Sequence, residues 1–155
     1  RQHVYANRFG SRAKTLWTLY NATGHAIDEP ALAVDLKPQE HLFDLLHSEP
    51  ATVEPANGQT RVHVHLLRDR ATCIARLPRL LAAARNGDTL NVTAKAAPAK
   101  SQLAVCNLAG EALATAAVQR SGTTLNLESV KAKQPCCVKL LKDGVLLDVA
   151  AIPAQ

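Results

Sequence analysis

Apolar and polar residues alternate along almost the whole chain, and this period of two predicts β-strands rather than helices. About seven strands are predicted in the first 78 residues, with Gly, Pro and Asn marking turns between them. The clearest covers residues 14–21, where β-branched and aromatic side chains alternate strictly. Short strands at this spacing are typical of a β-sandwich or barrel. The other segments with a clear strand pattern are residues 3–9, 30–36, 41–46, 61–67 and 71–78.

A second series of strands is predicted from residue 89 onwards. Asn57-Gly58 in the first series and Asp143-Gly144 in the second are two-residue hairpin signals. Residues 79–85 are ambiguous, because their Leu and Ala favour a helix while so short a segment makes only a marginal one. They form either a short helical turn or a strand that links the two series. The alanines of residues 112–118 suit a helix as well as a strand.

Aromatic residues and histidines occur only in the first part of the chain. All five aromatic residues lie within residues 1–43, and all six histidines lie within residues 1–65. The second strand series must therefore build an aliphatic core. The pattern and this change in composition together predict an all-β fold with two small antiparallel β-sandwich domains in tandem, over residues 1–79 and 80–155.

The chain carries a net charge of +5, but the positive excess is spread along it. Residues 1–79 hold 10 Lys and Arg against 8 Asp and Glu, and residues 80–155 hold 8 against 5. Nucleic-acid-binding proteins concentrate positive charge in a stripe with stacking aromatic residues, so no nucleic-acid partner is predicted. No apolar run approaches the roughly 18 residues of a membrane span, so no membrane insertion is predicted either.

Four cysteines, Cys73, Cys106, Cys136 and Cys137, show no paired spacing of the kind that binds zinc. Adjacent residues of a strand face opposite sides, so Cys136 and Cys137 cannot both face one core. A disulfide between Cys106 and either Cys136 or Cys137 is compatible with the sequence, whereas buried free thiols are the commoner case. Both alternatives stay open at the level of sequence.

His63 and His65 are the candidates for a metal site, because residues two apart in a strand project from one face. Further ligands would come from His41, His47 or a nearby carboxylate. The favoured alternative places both histidines on the solvent side of a strand whose intervening apolar residues face the core. The sequence therefore predicts no metal and no other cofactor.

Catalytic signatures are missing from the sequence. The acidic residues are scattered through turns and strand ends, and glycoside hydrolysis needs two that face each other across a cleft. Nucleophile elbow, P-loop and dinucleotide-binding motifs are also absent. We therefore expect that this chain is not an enzyme.

Trp17, Tyr5 and Phe43 are the candidate residues for stacking on a sugar. Trp17 and Tyr20 lie on opposite faces of one predicted strand, so only one of them can face a ligand. Because aromatic residues are few, core packing is the favoured use of most of these rings. Asn21 also begins an Asn-X-Thr sequence, the pattern for N-glycosylation, and this pattern recurs once in the second strand series.

The strand order of residues 1–79 resembles the C-terminal β-sandwich that follows the (β/α)8 barrel in many glycoside hydrolases. Residues 4–9 are similar to the opening strand of such domains, and residues 14–21 (KTLWTLYN) to their core strand that ends in Tyr-Asn. Residues 42–46 (LFDLL) and 73–78 (CIARLP) are similar to two later strands. Residues 80–155 resemble the immunoglobulin- or fibronectin-like modules appended to such enzymes, a likeness at the level of fold.

The resemblance implies that the catalytic residues would lie on a barrel that this sequence does not include. No catalytic residue is therefore assigned to this sequence. In such enzymes the sandwich packs against the barrel and stabilises it, or helps to bind polysaccharide. The resemblance also implies an extracellular or periplasmic location. The chain has no Met, and Arg1 is not a residue before which the initiator Met is normally removed, so we expect a piece of a longer polypeptide.

Three functions are compatible with these observations. The leading hypothesis is a non-catalytic accessory part that packs against or orients an upstream catalytic domain of the same, carbohydrate-active polypeptide. The second is a carbohydrate-binding module that holds a polysaccharide on the first sandwich. The third is an extracellular tandem that mediates adhesion or protein interaction.

Overall fold

The computed structural model describes residues 4–11, 13–56, 58–130 and 133–152. Within these ranges the chain forms strands and turns and no α-helix, so the predicted all-β class is confirmed. Across the same residues, no helix is long and apolar enough to cross a membrane. Contacts between Cα atoms divide the chain into two compact units, Arg1–Pro78 and Arg79–Gln155.

The first unit consists of short antiparallel strands joined by turns. Its described strands are β1 (Val4–Gly10), β2 (Thr15–Asn21), β3 (Ile27–Val34), β4 (Glu40–Asp44), β5 (Glu49–Pro50), β6 (Val53–Ala56), β7 (Gln59–Leu66) and β8 (Ala71–Pro78). They form a five-stranded sheet in the order β1-β2-β8-β4-β5 and a three-stranded sheet in the order β3-β7-β6. Every pairing between neighbouring strands in these two sheets is antiparallel.

The two sheets of the first unit enclose one hydrophobic core, as in a β-sandwich. In β2, every second residue from Thr15 to Asn21 is buried, because alternate side chains of a strand face the opposing sheet. The same alternation in β7 buries the apolar residues on either side of His63 and turns the histidines outwards. The buried core consists of Trp17, Leu19, Leu42 and Ile74 from one sheet and Ile27, Val34, Val62, Val64 and Leu66 from the other.

Two elements of the first unit differ from the sequence-based prediction. Strand β3 begins at Ile27, before the predicted start at residue 30. Pro30 is tolerated there because β3 is an edge strand and the register shifts between Pro30 and Leu32. Strands β5 and β6 lie in a polar, proline-containing stretch that showed no strand pattern, and they form by pairing with β4 and β7.

The second unit is also built from antiparallel strands. Its described strands are β9 (Leu81–Asn86), β10 (Thr89–Ala94), β11 (Gln102–Asn107), β12 (Ala112–Ala117), β13 (Thr123–Asn126), β14 (Pro135–Lys142) and β15 (Val145–Ala151). One sheet has the order β13-β10-β9 and the other β12-β11-β14-β15. Both helix-compatible segments are therefore strands, since each pairs along its length with a neighbour.

An aliphatic core lies between the sheets of the second unit. Its buried members in the three-stranded sheet are Leu81, Leu90, Val92 and Leu125, and those in the four-stranded sheet are Leu103, Val105, Val138 and Leu140. The prediction of an aliphatic core after residue 79 is confirmed for these described members. These aliphatic side chains offer a ligand neither a polar group nor an aromatic ring.

Two-residue hairpins occur where the sequence predicted them. Lys142 pairs with Val145, and Asp143 and Gly144 between them have φ angles of 51° and 77°. Two successive positive φ angles are those of a type I′ turn, which matches the twist of the flanking strands. At the other hairpin, Ala56 pairs with Gln59 and Gly58 has a φ of 76°, while Asn57 lies outside the described residues.

Candidate functional site

The structure separates the three residues predicted to stack on a sugar. Trp17 is 8% exposed and belongs to the core between the two sheets. Phe43 is 1% exposed, and the register across β2, β8 and β4 places it on the opposite face of the sheet from Trp17. This corrects the expectation for Trp17 and Phe43, because withdrawn rings cannot stack on a ligand at the surface. Tyr5 remains available, since it is 59% exposed.

Tyr5, Phe9 and Tyr20 form an exposed cluster, here called the aromatic face. Tyr5 pairs directly with Tyr20 and Phe9 pairs with Leu16, so these side chains project from one face of the five-stranded sheet. Phe9 is 59% and Tyr20 41% exposed. The sequence pattern missed Phe9 as a surface candidate and left open which of Trp17 and Tyr20 faces outwards, because parity within a strand does not reveal which residues of two strands are neighbours.

The aromatic face adjoins a sheet edge that carries little protection against pairing. Strand β1 is the end strand of its sheet and pairs with β2 only, so among the described residues the backbone groups on its outer side have no strand partner. Arg8 is the one charged residue of this seven-residue strand, and the pairing runs without a register shift. Proteins usually protect such edges with charges, prolines or bulges. An edge with a single charge and with no proline or bulge, beside exposed rings, has the properties of a surface that a partner covers.

A second candidate site in the first unit is a cleft of about 250 Å³, here called the histidine cleft. It contains imidazole and carboxylate groups contributed by both sheets and by the turn that follows β4. The fold thus brings His63 and His65 close to His47, one of the partners that the sequence suggested, whereas His41 does not line the cleft. Its ionisable lining residues are Asp28, Asp44, His47, Glu49, His63 and His65.

Asp28 is shared by two histidines of the cleft. Its Oδ1 lies 2.7 Å from Nε2 of His63 and 3.7 Å from Nδ1 of His65. The hydrogen bond with His63 is the main cause that lowers the pKa of Asp28 below its usual value. Among the described residues, no group of three or more His, Cys, Asp and Glu side chains is arranged to hold a metal ion. The cleft is therefore a set of imidazole–carboxylate pairs.

Asp44 has a structural role at the other side of the cleft. Its carboxylate accepts hydrogen bonds from the backbone N–H of Leu46 at 2.9 Å and of His47 at 3.0 Å. The Thr72 hydroxyl donates to it at 2.6 Å, and Nδ1 of His47 lies 2.9 Å away. This last hydrogen bond is the main cause that raises the pKa of His47. Both carboxylate oxygens thus hold the turn after β4 rather than face a substrate.

None of the four cysteines, all of which lie in the part of the chain that the structure describes, forms a disulfide. Cys106 and Cys137 are 2% and 1% exposed and lie directly opposite each other on β11 and β14, whereas Cys136 is half-buried. A hydrogen bond with Cys137 lowers the pKa of Cys106 to about 7. Burial instead raises the pKa of Cys73 on β8, so the two thiols differ in reactivity.

Asn21 does not offer its amide to glycosylation. The side chain is fully buried, and its Nδ2 lies 2.9 Å, 3.0 Å and 3.2 Å from the carbonyl oxygens of His25, Leu66 and Leu67. The other asparagine of an Asn-X-Thr pattern, Asn91, lies exposed on β10. Asn21 is therefore a structural residue, although its local sequence is that of a modification site.

Comparisons of the chain with protein-family models, with curated proteins and with solved structures found no match in any of the three. The structure therefore defines the class of this protein by its architecture: it is an all-β protein of sandwich-like antiparallel sheets.

Proposed function

We propose that this chain is a non-catalytic accessory part of a larger, carbohydrate-active protein, and that its first sandwich docks through the aromatic face onto a catalytic domain of the same polypeptide. The observation that carries the proposal is the exposure of Tyr5, Phe9 and Tyr20 beside β1, the end strand of its sheet. Aromatic residues are enriched in the contact surfaces of proteins, and solvent-exposed clusters of them commonly mark such surfaces.

The chemistry of the histidine cleft supports a non-catalytic role. Glycoside hydrolysis requires one acid to give a proton while a second carboxylate acts as base or nucleophile. Asp44 already accepts four hydrogen bonds, and Asp28 is ionised and exposed beside His63. Exposed Asp28 lacks the protected setting that raises the pKa of a catalytic acid, and the oxygens of Asp44 are occupied by the hydrogen bonds that hold the turn after β4.

The strand order of the second unit supports an immunoglobulin-like module. Its first, second and fifth strands form one sheet, and the third, fourth, sixth and seventh form the other. In immunoglobulin-like sandwiches, strands A, B and E likewise lie opposite C, F and G. The likeness is one of fold alone and assigns no binding activity to this unit.

Hydrogen–deuterium exchange tests the docking proposal. The longer polypeptide, cloned with the coding sequence upstream of Arg1, would be compared with the present chain. We expect slower exchange of the amides of β1 in the longer protein, because a docked domain shields that edge. Replacing Tyr5 and Phe9 by serine should restore fast exchange there and lower the Tm of the longer protein.

Leu67→Ser is the matched control, because Leu67 is also exposed in the first unit, at 54%, but lies outside the aromatic face. It should leave both the exchange of β1 and the Tm unchanged. Equal exchange of β1 in the two proteins would refute docking at this face. A coding sequence that starts at Arg1 would refute the accessory role itself.

A carbohydrate-binding module is the second candidate, favoured by the polar groups within the aromatic face. Asn7 pairs directly with Thr18, and both lie between the Tyr5–Tyr20 pair and Phe9. Rings for stacking and an amide and a hydroxyl for hydrogen bonds are the groups that recognise a sugar surface.

Affinity electrophoresis on a panel of polysaccharides tests this second candidate. A carbohydrate-binding face predicts retardation of the wild-type chain that is lost in Tyr5→Ala and Tyr20→Ala and kept in Leu67→Ala. Trp17 is a poor reporter of such binding because its ring is buried on the other face of β2, so tyrosine fluorescence should be followed instead. Equal mobility with and without every polysaccharide would exclude this candidate and leave the docking proposal intact.

A further inference from the structure

Cys106 and Cys137 face each other in the middle of the second unit's four-stranded sheet. They lie on the two central strands, β11 and β14, and the register pairs them directly. Directly paired residues of antiparallel strands have Cα atoms about 4.5–5.5 Å apart. A disulfide spans Cα separations of about 4.4–6.8 Å, so the backbone already holds this pair at bonding range.

The competing partner, Cys136, is placed differently by an irregularity in the pairing. The register shifts between Cys106 and Asn107, so Pro135 is the partner of Asn107 and Cys136 has no residue directly across from it. The Sγ of Cys136 lies 3.5 Å from the carbonyl oxygen of Cys106. Of the two disulfides compatible with the sequence, the geometry favours the one between Cys106 and Cys137.

We propose that Cys106 and Cys137 form a disulfide within the sheet when the chain folds in the presence of a small disulfide oxidant such as oxidised glutathione. The Cys106 thiolate attacks one sulfur of glutathione disulfide, whose S–S bond breaks and releases one glutathione thiolate. The Cys137 thiol loses its proton to water, and its thiolate attacks the Cys106 sulfur of the mixed disulfide. The second glutathione thiolate leaves, so two protein thiols are oxidised and one glutathione disulfide is reduced to two thiols.

The burial of the pair decides when the exchange can take place. The thiolate is the attacking species, so the two thiols must meet the oxidant while they are accessible to it. Both side chains are buried in the folded sheet, so exchange with glutathione takes place before the sheet closes. Once formed, the bond is shielded from reductants by the same burial, as structural disulfides of oxidising compartments are.

Thiol mapping after refolding tests the proposal. The unfolded, reduced chain is refolded in a mixture of reduced and oxidised glutathione, its remaining thiols are alkylated under denaturing conditions, and the product is digested with trypsin. Cys106 falls in the peptide of residues 101–120, whereas Cys136 and Cys137 share that of residues 134–139. Fragmentation of the linked peptide, or the Cys136→Ser variant, then identifies which of the two neighbours is joined.

We expect one linked pair of these peptides, with Cys73 and Cys136 alkylated. Cys136→Ser and Cys73→Ser should keep the link, and Cys106→Ser and Cys137→Ser should lose it. The refolded wild-type chain should also show a Tm several degrees above that of the same chain refolded in dithiothreitol. The proposal would be overturned by four alkylated cysteines in folded wild-type protein, by a link through Cys136, or by glutathione adducts alone. Mapping the wild-type chain is sufficient to distinguish these outcomes, without any variant.

Discussion

At the scale of single residues, buried polar side chains hold backbone that the sheets do not pair. Asn21 ties the end of β2 to the turn that precedes β8, through the carbonyl groups of Leu66 and Leu67. Asp148 accepts hydrogen bonds of 2.7 Å from the backbone N–H groups of Leu80 and Leu81, where β9 begins. Removing such a side chain leaves its partners unsatisfied in a site that water does not reach, which costs more than the bond itself contributes.

The variant Asn21→Asp should destabilise the first unit by about 2–4 kcal/mol. The change keeps the shape of the side chain but replaces the amide donor by an oxygen that faces carbonyl oxygens. Urea unfolding followed by fluorescence measures the loss, because the single tryptophan, Trp17, lies in the core of this unit. Asn7→Asp, on exposed β1, is the control and should stay close to the wild-type value. Equal stability of both variants would show that the Asn21 amide is dispensable.

The ion pair of His47 with Asp44 predicts a pH dependence of stability. The pKa of folded His47 lies above the usual histidine value of 6.5, so its stabilisation is complete below that pH and is lost as the pH rises through the folded pKa. The ring is 53% exposed, so we expect a loss below about 1 kcal/mol between about pH 5 and pH 8. His47→Gln should remove this part of the dependence. An NMR titration of the imidazole with a midpoint at or below 6.5 would contradict the assignment.

At the scale of elements, the hairpins determine the register of the strands, and the edge strands determine which surfaces remain open to a partner. Two-residue turns with glycine in a left-handed conformation set the register of their strands, since a shift by one residue would turn every core side chain outwards. The edge strand β1 shows the opposite situation. Its pairing with β2 engages the backbone groups on one side of the strand only, and nearly all of its side chains are exposed. Its role therefore depends on what covers it.

Gly144→Ala should destabilise the second unit by about 1 kcal/mol. Gly144 has a φ of 77°, and a Cβ added at this position would meet no atom within 4 Å, so the cost arises from backbone conformation alone. Gly24→Ala is the matched control, because its Cβ would also meet open space and its φ is not positive. Thermal unfolding followed by circular dichroism compares the two. A Tm for Gly144→Ala as high as that of the control would show that the turn adopts another conformation.

At the scale of the whole molecule, each compact unit has its own pair of sheets and its own hydrophobic core. The buried core residues of the second unit all come from the residues after Pro78, and those of the first unit all come from residues before it. A unit that buries its apolar residues among themselves has the main requirement for independent folding.

We therefore expect residues 79–155 to fold when they are expressed alone. The isolated unit should give a β-type circular dichroism spectrum, dispersed amide signals in NMR and a cooperative thermal transition. Val105→Asp places a charge in the aliphatic core and supplies the unfolded reference. A wild-type fragment with the spectrum of that reference would show that its own core is not sufficient.

The alternating pattern by itself determined the all-β class, most strand positions and the two-residue hairpins, because these depend on neighbours within a few positions along the chain. It also determined that Trp17 and Tyr20 face opposite sides of β2. The tertiary structure alone decided which residues of different strands meet: Tyr5 with Tyr20, Asp28 with His63, and Cys106 with Cys137. A period of two specifies which face of a strand each residue occupies, but it does not specify which residues of two strands pair. The register between distant segments is set by long-range packing and burial.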